Sequence, residues 1–159
     1  MEIIPVVHLS WTLFITFYGF ITKKNWFDFY YLLYIYVVAF SWTLYNGDCL
    51  ITYYYNKQTN PEYKAGNFKA ESDLHHILGK DYAPFLKKNH VLIVSILSIL
   101  SILSMYRVMI RQKFSVLSMF LLFFTYGAYY ITIMNDMDYH LFFCPILLGC
   151  LFYLVSIWK

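Results

Sequence analysis

The sequence predicts an all-α fold: a polytopic membrane bundle of about five transmembrane helices with one polar loop segment. Five long apolar stretches, at about 3–22, 29–46, 91–110, 114–134 and 141–158, are separated by short polar breaks. Each approaches the roughly 17–25 residues that a helix needs to cross the hydrocarbon core of a bilayer. None holds an acidic residue or a lysine, and Arg107 is the single charge among them. The chain is 60% hydrophobic and 13% charged, against about 25% charged in an ordinary soluble domain. Soluble helices with so little polar face do not come five at a time in a chain of this size. One membrane domain over 1–159 is therefore expected, and four spans with an unusual third or fifth segment is the alternative.

The first span closes at the basic turn Thr22-Lys23-Lys24-Asn25, and the second at Asn46-Gly47-Asp48. The N-terminus, Met-Glu-Ile-Ile-Pro, lacks the positive region of a signal peptide, so the first span is expected to be retained. Leu50–Tyr55 is apolar and aromatic but short, and is expected to lie in the membrane interface instead of extending the second span. Residues 47–90 form the polar segment. Asn60-Pro61 and Gly66-Asn67 are breakers, Ser72 is placed to cap a short helix over Asp73–Leu78, and Gly79 is placed to end it. Pro84 suits the first turn of a helix leading into the third span.

The third span repeats Ser-Ile-Leu at Ser95, Ser98 and Ser101, followed by Ser104. Three-residue spacing drifts about 60° per step, so the hydroxyls spiral around the helix. Close helix packing with back-bonding to the preceding turn is the expectation; a hydrated pathway is the alternative. Arg107, Arg111 and Lys113 end this span, with stems long enough to snorkel to headgroups. Gly127-Ala128 in the fourth span, and Gly149 and Ser156 in the fifth, read as packing notches. Tyrosines gather at span edges, where an amphipathic ring is most stable.

Charge does not settle orientation. Lys23, Lys24, Arg107, Arg111, Lys113 and Lys159 fall on one side; Lys57, Lys64, Lys69, Lys80, Lys87 and Lys88 fall on the other. The density of the first set favours an outside N-terminus and an inside C-terminus. A net charge of +3, without a basic stripe among exposed aromatics, excludes a nucleic-acid partner. The partners expected are the lipid bilayer and other membrane subunits or further copies of this chain.

Parity aligns the histidines. His8, His90 and His140 begin the first, third and fifth spans, Asp136 and Asp138 follow the fourth, and His75 and His76 lie in the polar segment on that same face. Imidazoles and carboxylates together bind divalent metal or relay protons. The candidate metal set is His8, His140, Asp136 and Asp138, and His8 stands out by lying inside an apolar run. Glu71 with His75 and Asp73 with His76 have helical spacing but no third fixed ligand. The three cysteines, Cys49, Cys144 and Cys150, include no C-x-x-C and imply no disulfide framework. Beside Asp48, a carboxylate that disfavours a thiolate, Cys49 reads as structural. No cofactor is specified, although histidines sharing a face are able to ligate haem.

No lysine lies within a span, which excludes a retinal Schiff base. Thr125-Tyr126-Gly127-Ala128-Tyr129 lacks the second glycine of a potassium filter. Walker, H-E-x-x-H and G-x-S-x-G motifs are missing, and the halves show no inverted repeat.

His8-Leu9 in the first span, Trp42 closing the second, Cys49-Leu50-Ile51-Thr52, and Tyr63-Lys64-Ala65-Gly66 form a short set of motifs within the first 66 residues. The set resembles small uncharacterised multi-pass membrane families with a histidine-bearing first helix and a Cys-x-x-Thr element after the second. The resemblance implies a membrane fold and no particular activity. The expected function is a non-enzymatic structural or interaction subunit of a membrane assembly. The alternative is a small proton- or cation-handling transporter or channel using the one-sided His/Asp cluster.

Overall fold

A computed structural model describes residues 3–66, 77, 83–134 and 140–158. Among the described residues all regular structure is helical: α1 Ile3–Ile21, α2 Phe27–Leu44, α3 Leu50–Thr59, α4 Ala83–Arg111, α5 Val116–Met134 and α6 His140–Ile157. Two of these, α1 and α2, are long and apolar enough to cross a membrane by length and composition.

The helix ends follow from local chemistry. The Asn25 side-chain oxygen accepts the Phe27 N–H at 2.8 Å, so the turn after α1 also starts α2. Both α2 and α4 stop with a residue in the left-handed region. Asn46 (φ 50) ends α2, and the Gly47 N–H (φ 94) returns to the Trp42 carbonyl at 2.8 Å. Lys113 (φ 61) ends α4, and the Phe114 N–H returns to the Met109 carbonyl at 3.0 Å. These wrap-around bonds satisfy carbonyls that a helix end otherwise leaves open. The break after α2 makes α3 a separate helix, so the Leu50–Tyr55 run does not extend α2. The proposed Ser72 cap, the Asp73–Leu78 helix and Gly79 lie outside the described residues, Ile77 apart.

Helix α2 is the hub. Tyr31, Leu32, Tyr36 and Ala39 are completely enclosed. Its main packing partner is α6, while α1 packs on α4, and α5 bridges α4 and α6. Polar side chains tie these contacts. The Tyr36 hydroxyl donates to the Leu122 carbonyl of α5 at 2.7 Å, and Ser118 and Tyr153 join α5 to α6 at 2.7 Å. Three buried threonines are satisfied within their own helices: Thr16 bonds the Thr12 carbonyl, Thr125 that of Leu121 and Thr132 that of Ala128.

The serine spiral serves packing at two of its steps. Ser101 bonds Thr16 of α1 at 3.2 Å. Ser104 is fully buried; its hydroxyl accepts the Gly19 N–H at 2.7 Å and meets the Tyr31 hydroxyl at 2.8 Å. Here α1 and α4 are so close that a Cβ on Gly19 would overlap the Ser104 carbonyl. The notches expected at Gly127 and Gly149 behave differently. A Cβ at either would touch nothing within 4 Å, so open space lies beside both backbones. Ser156 is exposed and bonds its own helix.

Candidate functional site

Polar chemistry gathers at two places. The first joins the end of α1, the start of α2 and the end of α4. Asp28 is completely buried one residue into α2. Arg111, the last residue of α4, grips it with two guanidinium nitrogens, Nη2 to Oδ1 and Nε to Oδ2, the latter at 2.8 Å. The guanidinium also reaches the Thr22 carbonyl and hydroxyl. Gln112 donates a further hydrogen bond to Asp28 Oδ2, and the Tyr18 hydroxyl donates to Oδ1 at 2.8 Å. The Tyr18 ring stacks on Tyr31 at 4.4 Å between centroids and lies under the Arg111 guanidinium.

Both oxygens of the carboxylate and all three guanidinium nitrogens thus have partners, as a buried charge pair requires. The expectation that Arg111 snorkels outward is corrected: it turns inward because Asp28 would otherwise be a buried charge without a counterion. Arg107, one turn earlier, stays exposed over the Phe20 ring.

The second place is where α3 meets the N-terminal half of α1. His8 is largely buried, at 9% exposure. Its Nε2 lies 3.4 Å from the Cys49 thiol and its Nδ1 3.5 Å from the Thr52 hydroxyl. Cys49 is the N-cap of α3 and Thr52 sits one turn in, so both project toward the same imidazole. Asp48, just before Cys49, is fully buried and committed elsewhere. Its carboxylate accepts the Tyr63 hydroxyl at 3.2 and 3.1 Å and the Gly66 N–H at 3.0 Å. Gly66 has φ 94, which favours glycine, and this lets the loop fold back over the α2–α3 turn.

The candidate set His8, His140, Asp136 and Asp138 is seen only in part. His8 is described; Asp136, Asp138 and the side chain of His140 lie outside the described residues, as do the side chains of His75, His76 and His90. The neighbours that His8 does show are Cys49 and Thr52, which sequence reasoning quoted as a motif but did not assign to it. Among the described residues no group of three metal-ligating side chains converges. Comparison with family models, curated proteins and solved structures finds no match for this chain.

Chemically, the Asp28–Arg111 cluster is saturated and holds three helices together. The His8–Cys49–Thr52 cluster brings a thiol, a base and a group able to orient that base within contact of one another.

Proposed function

We propose that the chain is a multi-pass integral membrane protein whose five long apolar helices, α1, α2, α4, α5 and α6, cross the bilayer, and that it acts by association, as a structural or interaction subunit. One observation carries this reading: the outer faces of the long helices are covered by large apolar side chains, while the largely apolar interior also encloses polar groups. Asp28, Asp48, Asn56, Ser104 and five threonines are buried. Ile3, Val7, Val116, Leu117, Phe120, Phe124, Leu141, Phe142 and Phe152 are each more than 60% exposed. In water such a surface exceeds what a monomer tolerates. In lipid it costs nothing, and every interior polar group must then find a partner within the bundle.

Association is favoured by where the small residues lie. Gly127 on α5 and Gly149 on α6 leave open space beside their backbones. Small residues allow close backbone approach, and packing is what joins helices in lipid. The internal notch at Gly19 is already filled by α4; these two are available to a neighbouring membrane helix. The transport reading finds less support, because Ser101 and Ser104 are occupied in helix contacts.

The test is extraction of the full chain from its membrane into native nanodiscs, followed by mass measurement of the particles. A particle larger than one copy is expected, with its population reduced in Gly149→Leu. A lone monomer in wild type contradicts the association reading. A chain released by carbonate washing contradicts the membrane reading itself.

A further inference from the structure

We propose that Cys49 is a nucleophilic thiol that accepts a long-chain acyl group from an acyl thioester, with His8 as its base and Thr52 as the residue that positions the imidazole. This rests on the membrane reading above, which supplies the apolar surroundings, and goes beyond it by assigning a covalent site.

The geometry is that of an activated nucleophile. The thiol is 3.4 Å from His8 Nε2, and the other ring nitrogen faces Thr52 Oγ1 at 3.5 Å. A nucleophile in reach of a base that a third group orients is the arrangement needed to draw off the thiol proton as the sulfur attacks. Cys49 also stands at the N-cap of a ten-residue helix without a side-chain cap bond, where backbone N–H groups are left open. The carboxylate of Asp48, the acidic group beside it, accepts hydrogen bonds from Tyr63 and Gly66.

The surroundings select the substrate class. Cys49 is partly exposed, and its chain neighbours Leu50 and Ile51, with Val7 beside His8, are exposed apolar side chains. An acyl chain dissolved in the bilayer has a matching surface along these residues, while its thioester stays at the polar boundary marked by the turn Asn46-Gly47-Asp48. Disulfide exchange has no intramolecular partner among the described residues, since Cys144 and Cys150 are free and belong to α6.

The step balances. Cys49 sulfur forms a bond to the acyl carbonyl carbon as its proton passes to His8 Nε2. The tetrahedral intermediate then expels the donor's thiolate, which takes that proton back from His8. The products are an acyl-Cys49 thioester and a free thiol, with no net oxidation.

The experiment uses the full chain in phosphatidylcholine liposomes with an alkyne-tagged palmitoyl thioester of coenzyme A. Labelling is read peptide by peptide, and hydroxylamine release identifies a thioester. Flotation of the same liposomes reports membrane insertion, so failure of the membrane reading is seen independently of failure to acylate. Cys49 is expected to label about 100-fold faster than Cys144 and Cys150, the size of general-base assistance. His8→Gln is expected to bring it down to their rate. Thr52→Val is expected to slow it severalfold without loss of the fold. Equal labelling of all three cysteines in inserted wild-type protein overturns the proposal, and that comparison requires no variant to fold. A Cys49 rate unchanged in folded His8→Gln overturns the role of His8.

Discussion

The two polar clusters differ in their chemistry: one pairs a buried carboxylate with a guanidinium, the other sets a thiol beside an imidazole. Around Asp28, two oxygens meet donors from Arg111, Gln112 and Tyr18, and the guanidinium also donates to the Thr22 carbonyl and hydroxyl. Around His8, Cys49 and Thr52 stand at 3.4 and 3.5 Å, and Cys49 is a partly exposed thiol. A saturated network fixes geometry. A partly exposed thiol beside an imidazole presents a reacting atom. The difference separates a structural clasp from a chemical site, and mutation tests it directly.

The largest effect is expected at the clasp. Arg111→Met leaves Asp28 buried without its counterion and is expected to destabilise by about 3–5 kcal/mol, whereas replacing both residues by apolar ones recovers most of the loss. Thermal unfolding in mild detergent measures both. A single variant as stable as wild type removes the clasp from the account.

Next is Gly19→Ala, which forces α1 away from the Ser104 carbonyl and is expected to cost about 1–3 kcal/mol by overpacking. Gly127→Ala and Gly149→Ala serve as controls, because their added methyls meet nothing within the chain. Equal unfolding midpoints for all three variants would show that the α1–α4 contact is not as close as described.

Smaller still is Tyr31→Phe, which removes one hydroxyl from Ser104 while the Gly19 N–H keeps its acceptor. A loss of about 0.6 kcal/mol is expected, typical of interhelical hydrogen bonds in membranes. Denaturant titration in mixed micelles resolves it. The smallest global effect belongs to Tyr63→Phe. It frees one donor from Asp48, so hydrogen exchange should quicken over residues 60–66 with the bundle midpoint unchanged. A large drop in the midpoint would instead make this loop part of the core.

Helix ends were legible in the sequence where local chemistry decides them. Asn46-Gly47 closes α2, Pro84 lies in the first turn of α4, and Asn60-Pro61 follows α3, each because backbone dihedrals or a missing N–H act within a few residues. The start of α2 was placed at about 29 because a charge was taken to end an apolar span; the helix begins at Phe27 and includes Asp28. Only Arg111, 83 residues away, makes that tolerable, and no periodicity encodes so distant a pairing. Gly19 was unreadable for the same reason, since its closeness to Ser104 belongs to the crossing of two helices. His8 was legible as an imidazole in an apolar run. Its neighbours were not, because parity assigns residues to a membrane face but not to a contact.

The most direct test of the central claim, a bundle whose apolar outer faces are set in lipid, is the accessibility of spin labels at positions 120, 124 and 152. They would be introduced one at a time after Cys49, Cys144 and Cys150 are replaced by alanine. In reconstituted vesicles all three are expected to collide readily with oxygen and poorly with a water-soluble nickel chelate. Ready collision with the nickel chelate at these positions would place them in water and contradict the account.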